Sequence, residues 1–150
     1  MPNNPNKTMR KYHDPQGLGD LPAENFEQSD IGLNIVINYY NHHRKYKPMV
    51  RQTIDLNNKN AYQPDVCFYQ KNLQNKAFGV AIVVIEIEDD RDFKRCQARC
   101  QQHLAMNPQT TEAFAYNFDK HYWYRYTQGL DKAVRSSYSD VLGLYLNDLK

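Results

Sequence analysis

The first apolar pattern along the chain has a helical period. Apolar side chains recur at intervals of three or four residues, which places them on one face of a helix. They are Ile31, Ile35, Val36, Tyr39 and Tyr40. Ser29 or Asp30 is expected to cap the N-terminus, and the helix is predicted to run to about Arg44, with Pro48 as its stop.

Three strands are predicted after this helix. Met49–Leu56 alternates between apolar and polar residues, as a half-buried strand does. Tyr62–Tyr69 is the second strand, and it places Val66 on one face and Asp65 on the other. The third strand, Phe78–Glu88, is an almost unbroken apolar run rich in β-branched residues, which indicates a strand covered on both faces.

A second helix and a hairpin are predicted in the second half of the chain. Asp89 or Asp90 is expected to cap a helix over Arg91–Met106. Its apolar stripe consists of Phe93, Cys96, Cys100 and Leu104. Glu112–Tyr116 and His121–Thr127 are predicted to form a β-hairpin around the turn at residues 117–120.

The order of these elements predicts the fold class. The final segment, Ser136–Lys150, stays open between strand and helix, because its leucines alternate while Val141, Tyr145 and Leu149 also fit a helical period. The remaining elements follow the order α-β-β-β-α-β-β. A helix that crosses over after the third strand, with more strands behind it, predicts an α/β fold: a central mixed β-sheet flanked by helices, with a C-terminal β-hairpin.

Length and composition favour one cytoplasmic domain. The chain has 150 residues, enough for a proper core. Residues 1–22 are polar and turn-rich and are expected to form a flexible tail, which leaves residues 23–150 as the domain. No signal peptide is recognisable, and no apolar run approaches the roughly 20 residues that a membrane span needs. The cysteines Cys67, Cys96 and Cys100 lack zinc-ligand spacing, so a reduced compartment is expected.

The charge of the chain neither requires nor excludes a nucleic-acid partner. The formal net charge is +2, and the basic residues are concentrated in two places. The segment His42–Arg51 contains four lysines or arginines and no acidic residue. The second cluster consists of Arg91, Lys94, Arg95 and Arg99. Such clusters are more often solvated faces than phosphate contacts, so both interpretations stay open.

Three carboxylates occupy strand positions where a charge is unusual. Asp65 follows Pro64 in the second predicted strand, and Glu86 and Glu88 lie at the end of the third, where they share a face. A buried carboxylate is costly unless it reaches solvent, a partner or a metal ion. An Asp and a Glu on neighbouring strands are the minimum that holds Mg²⁺ beside a phosphate. Taken singly, each is more commonly a turn residue or an exposed strand end.

Taken together, these motifs and their spacing resemble a known family. The order of elements, with PD on one strand and E-x-E on the next, resembles the restriction-endonuclease-like PD-(D/E)XK nuclease superfamily, and within it a small single-domain branch of uncharacterised bacterial proteins. The resemblance covers about Asp30 to Thr127. The matching segments are Gln63–Val66, Ala81–Glu88, the helix with Asp92 and Lys94, and Glu112–Asp119.

The resemblance implies a role for each matching carboxylate. Asp65 and Glu86 would bind one or two Mg²⁺ (or Mn²⁺) ions, and Glu88 would add a further ligand through its carboxylate or its backbone carbonyl. The superfamily commonly has Lys at the position of Glu88. The positive charge beside the attacking water would therefore come from Lys94 on the following helix. Arg99 is a weaker substitute, because an arginine cannot act as a base at neutral pH.

Two classes of function follow from these expectations. The first is a metal-dependent nuclease that hydrolyses phosphodiester bonds, with DNA as the expected substrate and a homodimer as the expected assembly, its tyrosine-rich hairpin being a candidate surface. The second is a catalytically degenerate nuclease-fold module that binds nucleic acid or a protein partner, which Glu88 in place of lysine favours. A partner-binding protein with no nucleic-acid role also stays open. His42, His43, His103 and His121 are expected to be surface or core residues rather than metal ligands, and Trp123 is expected to pack in the hairpin.

Overall fold

The computed structural model describes residues 26–150. The elements, in chain order, are helix α1 (Phe26–His42), strands β1 (Tyr46–Val50), β2 (Val66–Lys71) and β3 (Ala77–Glu88), helix α2 (Phe93–Met106), and strands β4 (Glu112–Asn117), β5 (Tyr122–Thr127), β6 (Tyr138–Ser139) and β7 (Leu144–Tyr145). A 3₁₀ turn, Leu146–Asp148, follows β7. The predicted flexible tail, residues 1–22, lies outside the described residues.

Five of the strands form one mixed sheet in the order β1-β2-β3-β4-β5. Neighbouring strands are antiparallel except β3 and β4, which pair in parallel. Helix α2 makes the connection between these two strands, since a parallel pair needs a crossover. The predicted mixed sheet flanked by helices, with β4 and β5 as a hairpin, is therefore confirmed.

The sheet separates two apolar cores. On one face, α1 and the C-terminal segment cover Val66, Phe68, Ile85, Ile87 and their neighbours. On the other face, α2 covers Cys67, Tyr69, Val84 and their neighbours. The alternation of these positions along β2 and β3 matches the period of a strand covered on both sides. Glu86, two residues after Val84, consequently faces α2.

The first helix begins earlier and ends earlier than predicted. Ser29 and Asp30 were expected to cap it, yet both lie inside α1, which spans Phe26–His42. Pro48 does not stop the helix but lies in β1. Strand β1 is the edge of the sheet, and an edge strand tolerates proline because one side of its backbone has no partner strand.

The first strand also lies earlier than the alternating pattern predicted. The predicted strand Met49–Leu56 overlaps β1 only at Met49 and Val50. Arg51 adopts a positive φ of 55°, a conformation that a strand does not accommodate, so β1 ends there. Beyond it, Ile54 is buried in the core beneath α2, and its carbonyl accepts the N–H of Ala81 at 2.7 Å.

Helix α2 follows its predicted stripe closely. Phe93, Cys96, Cys100 and Leu104 are all buried, together with His103. The helix begins at Phe93, two residues later than predicted, with Asp92 at its N-cap position. The three cysteines are buried and form no disulfide, as the packing interpretation requires. None of the helices in the described part of the chain is long and apolar enough to cross a membrane.

The C-terminal segment Ser136–Lys150, whose pattern fits either a strand or a helix, contains two short strands and a 3₁₀ turn. Its leucines contribute the short strand β7 and the 3₁₀ turn. Glu112, buried at the start of β4, accepts the hydroxyl of Ser139 at 2.5 Å and the N–H of Asp140 at 2.8 Å. This buried contact fixes the segment against the sheet, where Leu146 and Leu149 complete the core. Trp123 packs there, stacked on Tyr116.

Candidate metal centre

Glu86 is a buried carboxylate with a side-chain nitrogen partner on each oxygen. Its side chain faces α2, and Glu86 is 3% exposed. Arg99 Nε lies 3.1 Å from Oε1, and His103 Nε2 lies 2.5 Å from Oε2. Both partners come from one face of α2, four residues apart. The negative charge that the strand carries into the core is thus balanced by the helix that covers it.

His103 is held almost entirely by this contact. It is 2% exposed, and its Nδ1 atom has no hydrogen-bond partner among the described residues. Tyr62 contacts the ring edge to face at a centroid distance of 5.9 Å. A ring proton on Nε2 lets His103 donate to Glu86, so this contact satisfies one of the two ring nitrogens.

Asp65 immediately precedes β2, because that strand begins at Val66 and not at Tyr62 as predicted. Val66 pairs with Ile85 in the antiparallel register, so Asp65, one residue earlier, lies opposite Glu86. Asp65 Oδ2 accepts the N–H of Ile87 at 2.7 Å. Gln28 of α1 supplies the other contacts, with its Nε2 atom 3.4 Å from Oδ1 and 3.3 Å from Oδ2. Asp65 therefore receives hydrogen bonds from neutral donors.

The charge of Asp65 is poorly compensated. Loss of solvation and the nearby negative charge of Glu86 raise the pKa of Asp65 to about 7, although the hydrogen bonds from Ile87 and Gln28 and the charge of Arg99 act in the opposite direction. Burial also raises the pKa of Glu88. A pair of close carboxylates in which one titrates near neutrality is an arrangement found at metal and acid–base sites.

Glu88 and Lys94 occupy different surroundings. Glu88 Oε2 lies 3.5 Å from Arg99 Nη2, so Arg99 bridges Glu86 and Glu88. Lys94 is exposed on α2, and among residues 26–150 no ion pair joins it to Asp65, Glu86 or Glu88. The arginine thus lies in contact with the carboxylates, while the role expected for Lys94 stays a prediction.

A separate acidic cluster lies where β3 leads into α2. Glu88, Asp89 and Asp92 each place an oxygen within 4.8 Å of the others, close enough to bind one cation. Basic side chains already contact them: Arg91 lies 3.5 Å from Asp89, and Arg95 lies 2.7 Å from Asp92. Asp89 also accepts the N–H of Asp92 at 2.9 Å and so orders the start of α2.

A cavity of 260 Å³ opens beside Asp65, on the side of α1 and β1. Its lining includes Gln28, Ser29, Gly32, Arg51 and Asp65. Arg51 Nη2 donates to Ser29 Oγ at 2.6 Å, which holds the guanidinium at the cavity. The basic segment His42–Arg51 therefore contributes one cation here, whereas Lys45 and Lys47 lie over tyrosine rings.

The residues around Asp65 fit a hard divalent cation. Carboxylate and carbonyl oxygens are the ligands that Mg²⁺ and Mn²⁺ prefer. The carboxylate of Asp65 and the carbonyl of Ile87 converge on one point, where Gln28 Nε2 lies 2.5 Å from that carbonyl. An uncompensated carboxylate beside an open cavity would gain more from a cation than Glu86 would, because both oxygens of Glu86 already have partners.

Sequence reasoning missed two residues of this centre. Gln28 lies 37 positions before Asp65, and an isolated amide carries no motif. His103 was treated as a packing residue, and it is indeed buried, but it also binds Glu86. A signal for His103 existed, because a glutamate at the end of a buried strand requires a cation or donor from the covering helix. Arg99 and His103 lie on one face of that helix.

Comparison with known proteins agrees with this architecture. The fold is similar to the crystal structure of a "putative nuclease belonging to DUF820" from Anabaena variabilis ATCC 29413, with a TM-score of 0.54 over 81% of this chain and 76% of that chain. The two sequences are 13% identical, so the likeness establishes a nuclease-like fold and nothing more specific. No protein-family model matches the sequence. No curated protein matches it either.

Proposed function

We propose that this protein is a divalent-metal-dependent nuclease that hydrolyses phosphodiester bonds, with DNA as its expected substrate. The observation that carries the proposal is the position of Asp65, the residue before β2, near Glu86 of β3, with the charge of Asp65 incompletely compensated and its side chain bordering a cavity. The similarity of the fold to a "putative nuclease" supports the same class of activity.

Each residue of this centre has a separate proposed role. Asp65 and Glu86 would hold the cation, Mg²⁺ or Mn²⁺, with Glu88 as a candidate third carboxylate. A cation bound there would supply charge neutralisation of the phosphate and a more acidic bound water. Arg99 keeps a permanent positive charge beside Glu86 and Glu88, which replaces the charge of the missing motif lysine but not its capacity to act as a base.

The cavity gives the substrate a place to bind. Arg51 lies at its lining beside Ser29, and a guanidinium matches the geometry of a phosphate group. A phosphodiester bound by Arg51 would lie on the same side of the molecule as Asp65. Lys94, exposed on α2, would approach a longer substrate from the opposite face of the sheet.

Cleavage assays with paired variants test the nuclease proposal. The protein is incubated with supercoiled plasmid and with single-stranded DNA in Mn²⁺, in Mg²⁺ and in EDTA. We expect metal-dependent cleavage that falls about 100-fold in Asp65→Asn and in Glu86→Gln. Asp131→Asn, an exposed aspartate outside the centre, is the matched control. Cleavage that survives in Asp65→Asn would contradict the proposal.

A second candidate function is a nuclease-fold module without catalysis. Both oxygens of Glu86 are already paired with Arg99 and His103, and Glu88 stands where a lysine is usual. This candidate predicts no cleavage with either cation, together with duplex binding that weakens as salt concentration rises. Metal-dependent cleavage by the unmodified protein would exclude it.

A further inference from the structure

The side chain of Gln28 occupies the point on which the oxygen atoms of the candidate centre converge. Gln28 lies near the start of α1 and is half-buried. Its Nε2 atom is 2.5 Å from the carbonyl oxygen of Ile87 and 3.3 and 3.4 Å from the two oxygens of Asp65. One nitrogen thus faces three oxygen atoms, which belong to β3 and to the residue before β2.

These three oxygens set the chemistry of whatever lies between them. A backbone carbonyl and an ionised carboxylate only accept hydrogen bonds. The group at their centre must therefore be a hydrogen-bond donor or a cation. An amide nitrogen satisfies the requirement through its N–H groups, whereas a divalent cation satisfies it through charge and direct coordination by oxygen.

Close packing of α1 against β2 brings Gln28 to this point. Gly32 lies one helical turn after Gln28, and a Cβ atom there would lie 3.4 Å from Val66 Cγ2 and 3.9 Å from the carbonyl oxygen of Asp65. Any larger side chain at residue 32 would have to fit into this contact. The 260 Å³ cavity beside Gln28 leaves room for water molecules, which Mg²⁺ retains when it binds to proteins.

We propose that Gln28 is a cation ligand whose amide group turns over when the metal binds. In the structure, Nε2 faces Asp65 and Ile87. Rotation about the bond to the amide carbon exchanges the two amide atoms and presents Oε1 instead. An oxygen in that place is repelled by the other three oxygens unless a cation lies between them. The inference rests on the proposed function, since it concerns the cation of the same centre.

Binding of Mn²⁺ to variants at residue 28 tests this inference apart from catalysis. Affinity is measured by electron paramagnetic resonance of free Mn²⁺ or by calorimetry. Gln28→Ala is expected to weaken binding about tenfold. Gln28→Glu retains an oxygen ligand and adds a charge, so it is expected to tighten binding several-fold. Asn34→Glu makes the same amide-to-carboxylate change at an exposed position of α1 and is expected to leave the affinity unchanged.

The outcomes separate this inference from the proposed function. Damage to the fold cannot tighten binding, so a gain in Gln28→Glu that is absent in Asn34→Glu identifies residue 28 as a ligand. Binding that is lost in Asp65→Asn but unchanged in Gln28→Ala and Gln28→Glu would overturn the role of Gln28 and leave the centre intact. No Mn²⁺ binding by the unmodified protein would overturn both proposals.

Discussion

Two neighbouring carboxylates of this molecule, Glu86 and Asp65, have different kinds of partners. Glu86 points toward α2, where Arg99 and His103 bind its two oxygens. Asp65 immediately precedes β2; among residues 26–150 the hydrogen-bond donors to its carboxylate are the neutral groups of Ile87 and Gln28, and it borders a cavity. The charge of Glu86 is thus compensated by the helix that covers it, whereas the carboxylate of Asp65 has no charged hydrogen-bond partner among residues 26–150, and the proposed cation site rests on this difference.

Removal of Arg99, a partner of the buried Glu86 carboxylate, has the largest expected effect on stability. Arg99→Met removes the guanidinium and leaves Glu86 buried with one partner fewer. We expect the free energy of unfolding to fall by about 3 kcal/mol, the cost of leaving a buried charge unpaired. Urea unfolding in EDTA measures it. Arg95→Met, which removes an exposed pair with Asp92, is the matched control and is expected to cost less than about 1 kcal/mol. Equal losses would show that Glu86 is not specially compensated.

Removal of the charge of Asp65 is expected to stabilise the protein when no metal ion is available. Asp65→Asn removes a charge that has no full partner, while the amide oxygen of asparagine still accepts the N–H of Ile87. At pH 8, in EDTA, we expect the free energy of unfolding to rise by about 1 kcal/mol. Thermal or urea unfolding measures the change. A marked loss of stability would mean that the Asp65 carboxylate is already well compensated within the protein.

The Asp65 carboxylate is also expected to make the free energy of unfolding depend on pH. Folding raises the pKa of Asp65 to about 7, so between about pH 4 and pH 7 the folded state binds a proton that the unfolded state has released. The contribution of Asp65 to stability is therefore present at low pH and is lost as the pH rises through 7. The stability of the unmodified protein relative to Asp65→Asn is expected to fall over this range. A pH-independent difference would contradict the raised pKa.

The smallest predicted effect concerns the mouth of the cavity. Arg51→Ala removes one cation from the proposed phosphate path, so duplex affinity is expected to fall a few-fold and the salt dependence to decrease by about one counterion. Fluorescence anisotropy in EDTA measures both quantities. Lys45→Ala removes a cation of the same basic segment that lies over Tyr46 instead. If both variants weaken binding equally, the segment acts only through its general charge.

The sequence predicted the parts of the fold that depend on local periodicity. The faces of β2 and β3, the apolar stripe of α2 and the hairpin of β4 and β5 follow directly from alternation and helical spacing. The start and end of β1 did not, because the positive φ of Arg51 and the burial of Ile54 depend on contacts with β2 and β3. Alternation alone could not reveal where that strand stops.

The candidate centre was predictable only in part. The placement of Glu86 and Glu88 on one face was predicted from the two-residue period of a strand, and the register places Asp65 opposite Glu86. The partners of these carboxylates come from helices on both sides of the sheet, Gln28 from α1 and Arg99 with His103 from α2. Such contacts depend on how the helices cross the sheet, which no local pattern specifies.

A titration of Mn²⁺ at pH 8 tests the central claim most directly. The free Mn²⁺ signal in electron paramagnetic resonance is followed in the unmodified protein, in Asp65→Asn and in the control Asp131→Asn. We expect one Mn²⁺ site in the unmodified protein and in the control, with affinity at least about 100-fold lower in Asp65→Asn. Equal binding by Asp65→Asn and the unmodified protein would contradict it, because the uncompensated carboxylate would then have no part in binding the cation.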